Sequence, residues 1–267
     1  GAPTDLYPVQ ATDEPDVIRT FGGDDYVNAG GARDHVELGT GNDGALGGEG
    51  DDWISGGLGA DWIFGDTAGP YGVAGNDKLY GGRGADYLNG EGGDDLLRGG
   101  NDGDTVVDLS GANTLHGDAG NDLVQGTGDL FGDSGDDMLV GGYNDDGVTQ
   151  ITMRGGAGAD TFNVYLGASG DPAAAHRSFT IVDFNPAQGD HMILSAGVTF
   201  PDGTGGWISG PDLFRAADSN GDRHLGKGDI YVSEDDQGNS TLHFYNVDFT
   251  MDHAAATAAA WGLEAGV

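Results

Sequence analysis

Gly47-Gly48-Glu49-Gly50-Asp51-Asp52-Trp53-Ile54-Ser55 runs directly into Gly56-Gly57-Leu58-Gly59-Ala60-Asp61-Trp62-Ile63-Phe64. The two nonapeptides share glycine at positions one, two and four, aspartate at six and an apolar residue at eight. Outward from this pair the pattern returns at Gly81-Gly82-Arg83-Gly84-Ala85-Asp86-Tyr87-Leu88-Asn89 and at Gly155-Gly156-Ala157-Gly158-Ala159-Asp160-Thr161-Phe162-Asn163. The sixth position is held by Asp16, Asp25, Asp34, Asp43, Asp52 and Asp61, then by Asp77, Asp86, Asp95, Asp104, Asn113 and Asp122, then by Asp137 and Asp160. The eighth position, from Ile18 and Val27 to Leu139 and Phe162, is apolar in every copy. A fixed period of this kind marks a solenoid, in which each repeat buries its apolar residue only by stacking on its neighbours. The phase breaks after Asp61, Asp122 and Asp137, which predicts loop insertions near 67–74, 126–131 and 143–154. The reading divides the chain into an N-terminal segment 1–15, a repeat coil 16–163 and a C-terminal region 164–267.

Composition fits this and excludes much else. Of 267 residues 54 are glycine, and 45 acids against 10 bases give a formal net charge of −35. Such a surface repels phosphates, so no nucleic acid is expected as a partner. No apolar run approaches the ~18 residues of a membrane span. Cysteine is absent, which removes disulfides, thiolate metal sites and cysteine nucleophiles. A chain this acidic borders on disorder unless something neutralises it.

The repeats G-G-x-G-x-D-x-U-x, with U apolar, resemble those of the RTX (repeats-in-toxin) family over residues 16–163. The resemblance implies an all-β fold: a right-handed parallel β-roll with two nonapeptides per turn and several Ca2+ ions in the turns, followed by a small β-rich region with a C-terminal helix. The residues agree on independent grounds. The x-U-x segment suits a strand with U inward, and the glycine-rich half suits a tight turn. Eighteen residues per turn set sixth-position carboxylates above one another at the ~4.8 Å strand spacing. Two charges there repel by about 3–4 kcal/mol at an effective dielectric of about 20. Calcium, which takes six or more oxygens from carboxylates and carbonyls, reverses that sign. The expected ligands are Asp25, Asp34, Asp43, Asp52, Asp61, Asp77, Asp86, Asp95, Asp104, Asp122, Asp137 and Asp160. Asn113, uncharged, should weaken the sites it borders.

Beyond the repeats, Phe179-Thr-Ile-Val-Asp-Phe184 and Gly189-Asp-His-Met-Ile-Leu194 read as a hairpin joined through Asn185-Pro-Ala-Gln188. The stretch Ile181–Asp190 resembles the segment after the repeats of serralysin-type secreted proteases, and Asn246–Thr250 with an Ala-rich helix from Asp252 to about Leu263 resembles that family's ending. In such proteins this region carries the signal for a type I secretion apparatus, which implies a secreted, extracellular protein. Strands are also expected at Asp229–Ser233 and Thr241–Tyr245. Asp218-Ser-Asn220-Gly-Asp222-Arg-His-Leu-Gly-Lys-Gly-Asp229 resembles an EF-hand or dockerin-type loop, making Asp218, Asn220, Asp222 and Asp229 a further calcium candidate. Arg223 stands where that loop's glycine is usual, and Asp229 where its glutamate is usual.

Seventh- and ninth-position side chains should face outward. Tyr26, Leu46, Trp62, Phe64, Tyr87, Val107 and Leu123 form the more apolar face; His35, Glu37, Trp53, Ser55, Lys78, Tyr80, Leu96 and Arg98 form the other. Burial against the chain's own C-terminal part is the expected fate of the first, and a glycan or protein partner is the alternative. No catalytic constellation is present: H-E-x-x-H, G-x-S-x-G and the P-loop pattern are absent, and Gly132-Asp-Ser134-Gly135 belongs to the repeat frame. The chain thus reads as a non-enzymatic secreted calcium-binding protein that folds on binding calcium after type I export. The alternatives are a non-catalytic module of a secreted enzyme, or a calcium-dependent adhesin or surface-layer component.

Overall fold

The computed structural model describes residues 9–67, 74–141, 150–164, 177–185 and 187–194, together with five later strands at 199–201, 207–209, 232–234, 240–244 and 247–251. Each repeat contributes one strand, and successive strands fall alternately into two sheets. One sheet runs in the order Val9–Gln10, Tyr26–Gly31, Gly44–Glu49, Trp62–Asp66, Tyr87–Asn89, Thr105–Asp108, Leu123–Gly126, Met138–Gly141, Thr161–Val164 and His191–Leu194. The other runs Val17–Arg19, His35–Thr40, Trp53–Leu58, Lys78–Arg83, Leu96–Asn101, Thr114–Ala119, Gly128–Ser134, Gln150–Ala157 and Arg177–Ile181. All pairings along both series are parallel. This is the expected β-roll.

The register makes the core. Val27, Ala45, Ile63, Leu88, Val106, Val124, Leu139, Phe162 and Met192 follow one another across one sheet. Val36, Ile54, Leu79, Leu97, Leu115, Leu130, Met153 and Ile181 do so across the other. All are buried, and each large aliphatic contributes about 1.5–3 kcal/mol. The strands are longer than the x-U-x triplet: Trp53–Leu58 spans positions seven to nine and on to position three of the next repeat. Only positions four to six turn the corner, and the position-one residue faces inward beside the carboxylates.

Three expectations are corrected. The segment 126–131 is not an insertion, because Gly128–Ser134 is a strand of the coil with Leu130 in the core. Asp137 still lies one turn above Asp122, so that turn is shortened to 15 residues by a tight Gly126-Thr127-Gly128 corner. A second strand sharing this coil, Gln150–Ala157, takes up the end of the segment 143–154. The segments 179–184 and 189–194 do not form a hairpin. Arg177–Ile181 pairs in parallel with Gln150–Ala157, and His191–Leu194 pairs in parallel with Thr161–Val164, so they sit in opposite sheets and continue the winding. Alternating apolar residues suit a coil strand as well as a hairpin strand, and pattern alone does not tell them apart.

The later strands cap the larger sheet. Val247–Met251 adds in parallel to Arg177–Ile181, then Ser240–Phe244 and Val232–Glu234 add antiparallel. Thr199–Pro201 and Trp207–Ser209 form a separate antiparallel pair. Of the strands expected at 229–233 and 241–245, the described residues show Val232–Glu234 and Ser240–Phe244; residues 229–231 and 245 lie outside the described residues. The expected helix from Asp252 lies outside the described residues. Among the described residues no helix is long and apolar enough to cross a membrane.

Candidate metal centres in the turns

At each corner the sixth-position carboxylate does one visible job. Its Oδ1 accepts the backbone N–H of the sixth-position residue one turn below. Asp16 donates to Asp34, Asp34 to Asp52, Asp52 to Asp77 and Asp77 to Asp95, all at 2.7–2.8 Å. On the opposite edge Asp25 donates to Asp43, Asp43 to Asp61, Asp61 to Asp86, Asp86 to Asp104, Asp104 to Asp122, Asp122 to Asp137 and Asp137 to Asp160. The expected stacking is therefore two ladders, one along each edge of the roll.

A second ladder runs outside the first in the reverse sense. Fifth-position side chains accept an N–H from the turn above: Asp24 from Asn42, Asn42 from Ala60, Asp51 from Asn76, Asn76 from Asp94 and Asp94 from Ala112. Each turn is thus tied to both neighbours.

The other carboxylate oxygen is stranded. Oδ2 of Asp25, Asp34, Asp43, Asp52, Asp61, Asp77, Asp86, Asp95, Asp104, Asp122, Asp137 and Asp160 is buried without a hydrogen-bond partner, as is Oδ2 of Asp108. An unsatisfied buried carboxylate oxygen is among the costliest features a folded protein can hold. The first-position glycines show what surrounds it. A Cβ at Gly47 would collide with both Oδ2 of Asp52 and the carbonyl oxygen of Gly65. At Gly56 it would collide with Oδ2 of Asp61 and stand 2.7 Å from the carbonyl oxygen of Gly81. A carboxylate oxygen and a backbone carbonyl thus converge on one small space that a side chain would fill. This all-oxygen donor set fits a hard cation such as calcium.

At Asp16, Asp190 and Asn113, three of the ladder ends, ordinary hydrogen bonds replace the stranding, whereas Oδ2 of Asp25 stays without a partner. Oδ2 of Asp16 accepts the N–H and hydroxyl of Thr12. Asp190 accepts the N–H of Asp160 on Oδ1 and that of Asn185 on Oδ2. Asn113 accepts from Asp95 N–H and gives its amide hydrogens to the Ser110 carbonyl and the Thr127 hydroxyl. Above Asn113 the column ends at Gly128, whose missing side chain leaves Asn113 room.

Burial pushes the carboxyls of the inner ladder members up, opposed by the backbone hydrogen bond to Oδ1 and aided by neighbouring carboxylates. Asp77 and Asp104 rise to about 8, Asp52, Asp86 and Asp137 to about 7, and Asp61 and Asp160 to about 6. Asp34, Asp43, Asp95 and Asp122 are also raised, again chiefly by burial.

Several acids escaped the repeat frame. Asp108 occupies a first position, faces inward beside Asp95 and is pushed up to about 9 by burial and by that neighbour. Asp66 is buried, accepts the Gly75 N–H and rises to about 6. Asp183 accepts the N–H groups of Gly155 and Gly156. Asp190 is the uppermost ladder member, and its spacing of 30 from Asp160 hid it. Asp218, Asn220, Asp222 and Asp229 lie outside the described residues.

The family model of the RTX calcium-binding nonapeptide repeat (4 copies) matches residues 9–36, 37–67, 71–106, 98–129 and 107–139. No curated protein matches the chain.

Proposed function

From repeats that belong to the RTX calcium-binding family, we infer that this is a secreted calcium-binding protein or module whose winding is completed by Ca2+ after type I export. The observation that carries the reading is the row of buried Oδ2 atoms without partners. Asp25, Asp34, Asp43, Asp52, Asp61, Asp77, Asp86, Asp95, Asp104, Asp122, Asp137 and Asp160 are the proposed ligands, helped by turn carbonyls. Asp218, Asn220, Asp222 and Asp229 are proposed for a separate loop site. Calcium supplies the positive charge that lets stacked carboxylates stay ionised.

The chain's own residues do the rest. Oδ1 atoms fix the height of each turn, glycines keep the inner corner open, and the two apolar columns close only when the turns stack. At the low calcium of a cytosol the carboxylates repel and the chain stays open, a state suited to export. At millimolar calcium, binding free energy becomes folding free energy. RTX repeat proteins are typically secreted, and the repeat is a calcium-binding unit rather than a catalytic one. Calcium titration of chelated protein, followed by circular dichroism, should give a cooperative gain of β signal. An unchanged spectrum in chelator overturns the reading.

A second reading, a calcium-dependent adhesin or the non-catalytic module of a secreted enzyme, draws on the outer face. Trp62 is 60% exposed and stacks on Tyr87 at 5.3 Å. On the other sheet His35 stacks on Trp53 at 4.3 Å. Flat exposed rings of this kind suit a glycan or protein partner.

A further inference from the structure

On the outer face of the larger sheet, His116, Asp118 and Asp133 bring one ligand atom each within 4.8 Å of one another. We infer that these three residues bind one transition-metal dication of the zinc class, at a site separate from the calcium-binding turns.

The register creates the cluster. Gly82, Gly100, Asp118, Asp133 and Gly156 lie in one row across neighbouring strands. Of these five only Asp118 and Asp133 carry side chains, so two like charges stand opposite each other where like charges destabilise a sheet. His116, two residues before Asp118 on the same strand face, reaches between them. Its Nδ1 lies 2.7 Å from Oδ2 of Asp133.

Supporting contacts hold these groups in place. The His116 ring stacks on Phe131 at 4.5 Å and 7°, and the Arg154 guanidinium lies 5.8 Å from the Phe131 ring centre. Arg98 Nη1 donates to Oδ1 of Asp118 at 2.7 Å, orienting that carboxylate. Partners of this kind fix ligand geometry around metals.

Donor chemistry separates this site from the turns. The turns offer oxygen alone, the choice of calcium. An imidazole nitrogen with two carboxylates suits zinc and its neighbours, and three protein ligands leave a fourth position open. Ligands at about 2.0–2.2 Å in a tetrahedral shell stand about 3.3 Å apart, inside the span already set here. Side-chain exposures of 15% for His116, 25% for Asp118 and 37% for Asp133 leave the metal an entry path.

The test uses the whole calcium-saturated protein. Co2+ is titrated in while its visible absorption is recorded, and Zn2+ then displaces it. One equivalent should bind in the presence of millimolar calcium. His116→Gln and Asp133→Asn should each weaken binding by at least about tenfold. His35→Gln, at the comparable His35–Glu37 pair on the same face, should leave it unchanged. Circular dichroism in calcium shows that each variant is folded, and Asp118→Asn replaces any that is not. The inference is overturned if no equivalent binds, if calcium displaces the cobalt, or if binding survives the loss of His116 and Asp133.

Discussion

Oδ1 of Asp52 accepts the backbone N–H of Asp34 at 2.8 Å, one turn of the coil away, while Oδ2 of the same carboxylate lies buried with no partner. The two oxygens of one side chain thus have different duties. The first sets the stacking distance whether or not a cation is bound. The second carries the charge that the coil cannot tolerate alone.

Substitutions separate these duties. Asp52→Asn keeps an acceptor for Asp34 N–H and removes the charge, so it should weaken the calcium dependence of folding while leaving the turn spacing intact. Asp52→Ala removes both and should cost more, by about 1–3 kcal/mol for the buried Asp34 N–H left without an acceptor. Calcium titrations of wild type and both variants by circular dichroism check the order. Equal midpoints for Asn and Ala would show that the Oδ1 bond contributes nothing.

The raised carboxyls make the metal-free coil acid-stable. In the open chain an aspartate titrates near 3.9, whereas in the coil Asp52, Asp86 and Asp137 titrate at about 7 and Asp77 and Asp104 at about 8. A folded-state pKa above the unfolded one means that the coil holds the extra protons. The resulting stability is fully present below about 4 and is lost as pH rises through 6 to 8. In chelator, β signal should therefore be greater at pH 5 than at pH 8, and calcium binding at pH 7 should release protons to the buffer. Circular dichroism and buffer-dependent calorimetry measure the two effects. More β signal at pH 8 than at pH 5 in chelator would reverse the sign of this argument.

How far the sequence reveals this design depends on period. Residues that keep the nine-residue phase, such as Asp43 and Ile54, announce both their column and their direction. Asp190 belongs to the same ladder but sits 30 residues after Asp160, and no local pattern ties them. Asp108 keeps phase yet replaces a first-position glycine, and its inward aim follows only from the strand running past position nine. The Gly126-Thr127-Gly128 corner shortens a turn by three residues, which in sequence looks the same as a nine-residue repeat with six added. The fifth-position ladder did have a signal, the recurrence of Asp or Asn at 24, 42, 51, 76, 94, 121 and 136. His116, Asp118 and Asp133 are brought together by register, which spacing along the chain does not display.

Glycine in the coil is held in place by two distinct constraints, a left-handed backbone and the close approach of the next turn. Gly48 has φ of +116°, and a Cβ on it would collide with the carbonyl oxygen of Gly30 in the turn below. Gly48→Ala therefore meets both a forbidden backbone conformation and a backbone clash, and should cost about 2–4 kcal/mol. Ala32 stands at a fourth position with φ of +75°, where Gly41, Gly50 and Gly59 are found in neighbouring copies. Its left-handed conformation costs about 1–2 kcal/mol for an L residue. Ala32→Gly removes that strain and returns part of it as added freedom of the open chain, so a net gain of about 0.5–1 kcal/mol is expected. Denaturant unfolding in saturating calcium compares the three proteins. A stabilising Gly48→Ala or a destabilising Ala32→Gly would mean that backbone conformation is not what selects glycine in these repeats.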